Sequence, residues 1–478
     1  MLRTLSPPGA WGASLVLPAL LGALLAVGVA ADALLARSLS LKWAAPWLRG
    51  AAPPLLSLLV AGALLLLVLA ATLWRQHLPG RSQAAIVLLF SATQLVGFNL
   101  ANIEPLKIAL LLVSAGWLAD ALLNNRPLRL YPPLLMVWLL ILAFGLLSIL
   151  NGRVISLVAQ YSLIAKFLMF FIVANLVRTP QQLLFALRLL VMLGLGSALL
   201  ALAQEGLFYF LGVPLTLEDN APKYWFKDTP LGWMIRATAF HPTAQNLSHA
   251  LLMSLALLLL GPFSVRQRIG GGLLLALGIF FTFSGNALMV TVALLLLAPL
   301  MAWPRRALHY LAALALLALL LYLSGVAGWA YDKYLLPISG KSAEDRIALL
   351  QLGLEMMARH PWTGIGLNNF GRVSPQPVHN AYLQMVTEIG IVPGLLLCLM
   401  LLLVALRLLL GTVQTPAGPL RQAGLGMLLA LTGLLVHFQF EPFINSLVSW
   451  SIIGLAEATA LLLYRSRTDR LAPTAART

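Results

Sequence analysis

Long apolar runs dominate this chain and restrict it to folds that a membrane can hold. Of its 478 residues, 60% are hydrophobic and only 10% are charged, whereas about a quarter of the residues in a soluble domain are charged. Too few polar side chains are present to cover a water-facing surface. The sequence therefore predicts an all-α integral membrane protein, with residues 1–478 forming a single polytopic membrane domain.

The apolar runs have the length of membrane helices, which is roughly 17 to 25 residues. Counting them predicts about fourteen transmembrane helices and a cytoplasmic tail at 465–478. The first run resembles a signal sequence, but it is too long for one and further spans follow, so it is predicted to be an uncleaved span. In chain order, the predicted spans lie near residues 11–30, 53–73, 84–100, 106–123, 131–150, 154–176, 182–212, 241–262, 270–284, 287–303, 306–324, 390–408, 420–440 and 445–464.

The distribution of basic residues supports this count. Arginines concentrate in the connections that the count places in the cytoplasm, for example Arg305 and Arg306, as the positive-inside rule predicts. The exception is the first external loop, which contains Arg37, Lys42 and Arg49. The net charge of +16 is thereby explained without nucleic acid, and no basic stretch is long enough to follow a phosphate backbone. Nucleic acid is therefore not expected as a partner, whereas a lipid that carries pyrophosphate remains compatible with the charge.

Two of the predicted external loops are long, and both fall on the same side of the membrane. The first covers 213–240, and the second, at 325–388, is the largest polar interruption in the chain. The second loop is predicted to contain an amphipathic helix that lies at the membrane interface. The apolar residues that recur there at helical spacing are Ile347, Leu350, Leu354 and Met357.

The sequence contains no motif for a metal, a phosphate-binding loop or a nucleophilic serine. Its single cysteine, Cys398, cannot form a disulfide framework or a cysteine-based metal site. The stretch GIGLNNFG at 364–371 resembles a glycine-rich phosphate loop, but it does not follow a strand in a βαβ unit. Its glycines are therefore predicted to form turns.

His379 is the candidate catalytic base. A lone histidine near a membrane surface is more often structural, but this one lies in a polar loop with further histidines and arginines. Neutral histidine is the natural base near pH 7 and could take the proton from a sugar hydroxyl. Asn380 and Glu388 belong to the helix that His379 precedes, and they are candidates for orienting the base or the acceptor.

Charged residues at or within the spans are candidates for binding an anion, because such a charge is costly unless it is paired. Arg236 lies at the edge of a span, and its planar guanidinium matches phosphate oxygens. The alternative is an interfacial arginine whose head group reaches water. Lys166 lies within a span and either binds pyrophosphate or has a structural partner. His241 and Glu441, at the external ends of two spans, are candidates for orienting the base or binding the acceptor.

Three segments resemble the O-antigen ligases and O-antigen polymerases of bacteria. The first, RIALLQLGLEMMARHPWTGIGLNNF, resembles a family stretch that contains His-Pro followed by G.G..NF. The second, VHNAYLQMVTEIGIVPGLL, resembles the family pattern HN.YL followed by E.G. The third, RATAFHPTAQNLSHALL, resembles the family segment that contains an arginine followed by His-Pro-Asn. The segments occur in the family's order, and the N-terminal half matches only in hydropathy.

The resemblance implies a GT-C-like helical fold and glycan transfer at the periplasmic face of the bacterial inner membrane. It implies an undecaprenyl-pyrophosphate-linked glycan as donor, a lipid or glycan as acceptor, and no required metal or nucleotide. His379 matches the family's essential histidine, and Arg236 matches one of the arginines proposed to hold the donor pyrophosphate. Attack by the acceptor from the face opposite the pyrophosphate predicts inversion at the anomeric carbon.

One family residue is absent from this chain. The family has a second arginine for pyrophosphate in an SRGA-like turn, and that turn is Ser284-Gly285-Asn286-Ala287 in this sequence. Lys166, Arg346 or Arg372 could replace the missing arginine.

The acceptor remains open. A polymerase adds one lipid-linked glycan to another, whereas a ligase transfers the glycan to lipid A-core. The span count and the missing arginine favour the polymerase. The alternative of another class is a polysaccharide transporter or lipid flippase, which requires polar residues through the full depth of the membrane. The polar residues of this chain gather mainly at one face.

Overall fold

The structure is a computed structural model that describes residues 81–95, 105–123, 129, 131–211, 226–229, 232–325, 328, 336–374 and 376–471. The spans predicted at 11–30 and 53–73 lie outside the described residues. The same is true of the first part of the predicted loop 213–240 and of the end of the predicted tail.

Helices make up most of the described chain. They are α1 (Arg81–Ala92), α2 (Pro105–Leu123), α3 (Pro132–Leu176), α4 (Pro180–Leu211), α5 (Ala244–Leu260), α6 (Val265–Phe281), α7 (Gly285–Ala302), α8 (Ala307–Leu323), α9 (Leu336–Arg359), α10 (Phe370–Val373), α11 (Ala381–Ile389), α12 (Ile391–Gln414), α13 (Pro419–His437) and α14 (Leu447–Leu471). Short 3₁₀ helices occur at Thr93–Leu95, Pro304–Arg306 and Phe443–Asn445. An antiparallel pair of strands, β1 (Phe226–Thr229) and β2 (Gly232–Ile235), lies within the predicted loop 213–240.

Six helices in the described part of the chain are long and apolar enough to cross a membrane. They cover Pro180–Phe210, Gly285–Ala302, Pro304–Leu323, Ile391–Gln414, Pro419–His437 and Leu447–Thr468. Shorter apolar helical stretches lie at Ser82–Leu95 and Ala244–Leu260, and within α3 at Pro132–Ser148 and Ser162–Leu176. The predicted class, a helical multi-pass membrane protein, is confirmed.

Polar caps fix where helices begin near the site. The Oγ1 of Thr243 accepts a hydrogen bond from the backbone N–H of Asn246 at 3.2 Å. This N-cap starts α5 at Ala244, three residues after the predicted boundary at 241, since a capping threonine satisfies a backbone donor that the first helical turn leaves open. The segment from Arg236 to Thr243 is thereby left outside the helix.

The predicted break between the spans 131–150 and 154–176 is wrong. The chain forms one continuous helix of 45 residues, α3, through Asn151, Gly152 and Arg153. At about 1.5 Å per residue, this helix is roughly twice as long as the ~30 Å hydrocarbon core. Polar residues ended the apolar run in the sequence, but none of the three is a proline, so the backbone hydrogen bonds of a helix can continue through them.

The helix predicted in the loop 325–388 is present as α9, and Leu350 of its predicted apolar stripe packs against the buried cluster of Leu349, Phe370 and Val378. Ile347 and Leu354 are exposed, whereas Leu349 and Gly353 are buried. A Cβ on Gly353 would lie 3.1 Å from the Cδ2 of Leu383, a residue of α11. The glycine therefore allows α11 to approach closely, and this contact selects the buried face in a way that hydrophobic spacing does not reveal.

The core of the bundle surrounds α5 and α14. Helix α5 packs against α6 and α13, and α14 packs against α3 and α12. Gly454 permits the close approach of α14 to α3, because a Cβ there would lie 2.7 Å from the carbonyl oxygen of Phe170. By contrast, α8 has no buried residue and exposes its apolar side chains. An apolar helix exposed in this way is suited to face lipid.

Candidate active site

His379 lies directly before α11 and adopts an unusual backbone conformation. Its φ of +54° falls in the left-handed region, which non-glycine residues enter at a cost of about 1–3 kcal/mol. The preceding Val378 is fully buried and anchors this turn. The imidazole is 22% exposed, and its Nδ1 lies 3.4 Å from the Oε2 of Glu441. The base predicted from the sequence is therefore partly open to solvent and paired with a carboxylate.

Glu441 lies in the loop between α13 and α14, and several groups hold its carboxylate. Its Oε1 accepts a hydrogen bond from the Nδ2 of Asn286 at 2.8 Å and lies 3.7 Å from the Nη2 of Arg346. Burial acts to raise the pKa of Glu441. The hydrogen bond with His379 and the charges of His379 and Arg346 outweigh burial and lower this pKa below its usual value. The carboxylate therefore stays ionised at neutral pH.

The ionised carboxylate determines which nitrogen of His379 can act as a base. A carboxylate only accepts hydrogen bonds, so the Nδ1 of His379 carries the proton that faces Glu441. In the neutral ring, the lone pair then lies on Nε2. The arrangement can remove a proton at Nε2 and stabilise the imidazolium that forms, because the negative charge of Glu441 is adjacent.

Arginines reach the turn between α6 and α7 from different segments of the chain. The Nε of Arg236 donates to the carbonyl oxygen of Thr282 at 3.0 Å. The Nη1 of Arg346 donates to the Oδ1 of Asn286 at 2.9 Å. This is the turn in which the sequence has Gly285 and Asn286 in place of the family arginine. Of the three possible replacements, the structure brings Arg346 to the turn.

The other two predicted pyrophosphate ligands lie elsewhere. Lys166 is buried on α3, and its Nζ donates to the Oδ1 of Asn445 at 2.8 Å. Arg372 is on α10, and its side chain is exposed. Lys166 therefore supports the loop that carries Glu441, which corresponds to the structural alternative for this residue.

Glu388 organises the glycine-containing loop after α9. Its Oε2 accepts from the backbone N–H of Asn368 at 2.9 Å, and its Oε1 accepts from the Nε2 of Gln384 at 3.0 Å. Burial raises the pKa of Glu388, although these hydrogen bonds and the charge of Lys166 oppose the rise. Gly364 has a φ of +63°, and a Cβ there would lie 2.3 Å from the backbone of Glu388. Gly364 and Gly366 have positive φ, as turns require, whereas Gly371 lies in α10. Glu388 fixes this loop, and its orienting role at the base stays a prediction.

Asn380 connects the base to the Glu441 loop. Its Oδ1 caps α11 by accepting from the backbone N–H of Leu383 at 2.9 Å. Its Nδ2 donates to the Oε1 of Gln439 at 3.1 Å. The predicted orienting role of Asn380 is consistent with these contacts.

His241 lies before α5 and is 1% exposed; it belongs to a neighbouring pocket.

Sequence reasoning missed the part that Asn286 plays. The residue appeared there only as the site of a missing charge, whereas its amide bridges Glu441 and Arg346. The available signal was a polar side chain that follows Ser284-Gly285 at the start of an apolar run. The buried contact between the Nδ1 atoms of His249 and His437, at 3.1 Å, was likewise not predicted.

Comparison with known proteins supports the resemblance found in the sequence. Residues 270–399 match a family model described as O-antigen ligase. The match covers less than half of the chain and includes the turn at 284–287, Arg346 and His379. Over these residues, the family predicted from the sequence is confirmed. A search of curated proteins finds no matching sequence.

Proposed function

We propose, from the O-antigen ligase domain at 270–399, that this membrane protein transfers a glycan from an undecaprenyl-pyrophosphate-linked donor to a sugar hydroxyl. The contact between His379 and Glu441 carries this proposal, because it supplies a base of defined tautomer, and Arg346 lies 3.7 Å from the same carboxylate. The proposed location is the periplasmic face of the bacterial inner membrane, in a GT-C-like bundle with the loops 213–240 and 325–388 outside.

The proposed reaction needs one base and a stabilised leaving group. The acceptor hydroxyl loses its proton to the Nε2 of His379, and its oxygen forms a bond to the anomeric carbon. The bond between that carbon and the phosphate oxygen breaks, and undecaprenyl pyrophosphate leaves with the bonding electrons. Attack from the opposite face inverts the anomeric configuration. In this proposal, Arg236 and Arg346 offset the charge that develops on the phosphate oxygens.

Transfer by the purified protein tests the proposal and separates it from transport. Detergent-solubilised protein is mixed with radiolabelled lipid-linked oligosaccharide and an acceptor glycolipid. Formation of a labelled covalent product without any other protein supports the transferase. A flippase or polysaccharide transporter would move the labelled lipid across vesicles but leave its glycosidic bond intact.

Arg346→Ala is expected to weaken donor binding by about tenfold or more, because a hydrogen bond to a charged group contributes roughly 1.5–3 kcal/mol. Gly285→Arg in the same chain is expected to restore part of this loss. A Cβ on Gly285 meets nothing within 4 Å, so a side chain can begin without a clash at the position where the family has its arginine. The measurement is the dissociation constant of undecaprenyl pyrophosphate.

Arg372→Ala is the matched control for Arg346→Ala, since Arg372 lies on the same external segment with an exposed side chain. It is expected to leave donor binding unchanged. Equal losses from both substitutions would show that the loop's general charge, and not the turn, attracts the donor.

The structure changes the balance between the two acceptors. The preference for a polymerase depended on the missing arginine and on the span count. Arg346 now reaches the turn that lacks the arginine, and α3 is one helix where two spans were counted. Because the matched family model is described as O-antigen ligase, we favour the ligase, with lipid A-core as acceptor, and retain the polymerase as the second candidate.

Deletion of the gene from its native bacterium is expected to leave lipid A-core without glycan while long lipid-linked polymer accumulates. The measurement is the gel profile of extracted lipopolysaccharide beside that of the lipid-linked fraction. Lipid A-core that carries a single repeat after deletion would contradict the ligase and indicate the polymerase.

A further inference from the structure

A small pocket lies beside the candidate site, between the start of α5 and the loop that leads into α14. It is lined by His241, Asn246, His249, Phe443, Ser446 and Val448. His241 follows Arg236 by five positions, and Phe443 follows Glu441 by two. The pocket is therefore formed by the segment of the candidate donor arginine and by the loop of the carboxylate that holds the base.

The two histidines of the pocket are in different situations. His249 uses both ring nitrogens, since Nδ1 lies 3.1 Å from the Nδ1 of His437 and Nε2 lies 3.1 Å from the Oγ of Ser449. Its ring also stacks on Phe443 at 4.4 Å between centroids. These contacts make one wall of the pocket rigid.

One ring nitrogen of His241 makes no hydrogen bond with the described residues. The residue is only 1% exposed, and its Nε2 has no hydrogen-bond partner among the described residues. A buried polar atom left without a partner is destabilising. A group that enters the pocket and forms a hydrogen bond with Nε2 would remove this penalty. Nε2 is therefore a candidate binding atom for a polar group.

The chemistry of the lining indicates which group fits. Among the residues that the structure describes, the lining has two imidazoles, an amide and a hydroxyl beside the apolar surfaces of Phe443 and Val448, and no Lys, Arg, Asp or Glu. The volume of the pocket is enough for about one water-sized group. A pyrophosphate is too large and too charged for such a site, whereas a single uncharged polar substituent matches it.

We infer that the pocket binds one hydroxyl-type substituent of the donor's first sugar, with the Nε2 of His241 as its hydrogen-bond partner. This inference rests on the proposed function, because the sugar is the group joined to the pyrophosphate that Arg236 and Arg346 would hold. The pocket then selects among donor sugars through the position of one substituent, separately from the arginines that bind the pyrophosphate.

The test compares undecaprenyl pyrophosphate with the same lipid carrying one glucose or one N-acetylglucosamine. Dissociation constants are measured on the full-length protein in detergent. In the unsubstituted protein, at least one sugar is expected to tighten binding by about three- to tenfold, the effect of one added hydrogen bond. His241→Phe is expected to abolish this gain and leave the affinity for undecaprenyl pyrophosphate unchanged.

Two further variants complete the design. His241→Gln keeps a polar nitrogen at a similar reach and is expected to retain part of the gain, which distinguishes loss of the hydrogen bond from loss of folding. His309→Phe, on the exposed surface of α8, is expected to retain all of it.

The outcomes separate this inference from the proposed function. An unchanged sugar gain in His241→Phe would mean that the pocket holds only water and would overturn the inference. No gain with either sugar in the unsubstituted protein, or an equal loss for all three lipids in His241→Phe, would also overturn it. Failure of undecaprenyl pyrophosphate to bind the unsubstituted protein would instead contradict the proposed function itself.

Discussion

His379→Ala is expected to reduce glycan transfer by about 10²–10⁴-fold, the usual contribution of a general base. The acceptor hydroxyl would keep its proton as it attacks, and no other imidazole among the described residues pairs with Glu441 at the partly open end of the site. The affinity for the lipid-linked donor should stay near that of the unsubstituted protein, because the arginines remain. The measurement is a single-turnover rate at saturating donor, together with the donor dissociation constant.

His379→Asn and His360→Ala serve as controls for this prediction. Asparagine adopts the left-handed conformation more readily than most residues, so His379→Asn preserves the backbone with its φ of +54° and removes only the base. It should lose as much activity as His379→Ala. His360 is exposed directly after α9, and His360→Ala should remain fully active. Transfer at an undiminished rate by both His379 variants would rule out the base assignment.

The helical membrane class was predictable because the bilayer fixes the length of an apolar run. Helices α4 and α12 to α14 lie close to the predicted spans. Helices α6 and α7 are separate as predicted, but the break lies at Thr282–Ser284 and not at the predicted residues 285–286. The break near Asn151 was wrong, since polarity ends an apolar run without necessarily ending a helix. Hydropathy reports what surrounds the chain, whereas helix ends depend on proline, glycine and caps.

The residue types at the site were predictable, but their partners were not. His379 and Glu441 are 62 positions apart, and Arg346 and Asn286 are 60 apart. His379 and Glu441 meet in loops beside helix ends, whereas Arg346 lies within α9 and meets Asn286 in the first turn of α7. A sequence pattern identifies polar residues in an apolar chain, but it does not show which of them face one another.

Glu388 shows that a residue close to His379 in the sequence need not contact it in the structure. Its position nine residues after His379, near the same helix, suggested an orienting role. In the structure, its carboxylate accepts the backbone N–H of Asn368 and the amide of Gln384. The helical turn between the two residues directs Glu388 toward the loop at 364–370 and leaves Glu441, from a later segment, to contact the base.

Glu441→Gln is expected to lower the transfer rate by about 10²–10³-fold with little change in donor affinity. The amide has nearly the same size as the carboxylate, and its oxygen can still accept from the Nδ2 of Asn286. Its NH₂ group would face the Nδ1 of His379 and favour the tautomer in which Nδ1 accepts and Nε2 carries the proton. The base would then present the wrong nitrogen to the acceptor, and no negative charge would stabilise the imidazolium.

The readouts separate this orienting role from an indirect effect through Arg346, which lies 3.7 Å from the same carboxylate. Loss of the base tautomer lowers the single-turnover rate at saturating donor, whereas displacement of Arg346 weakens donor binding and is overcome by more donor. Glu355→Gln is the matched control, because Glu355 is exposed on α9 and pairs with Arg359; it should leave both quantities unchanged. A Glu441→Gln protein that loses affinity but keeps its saturated rate would assign Glu441 to the donor arginine and leave His379 to act without a carboxylate partner.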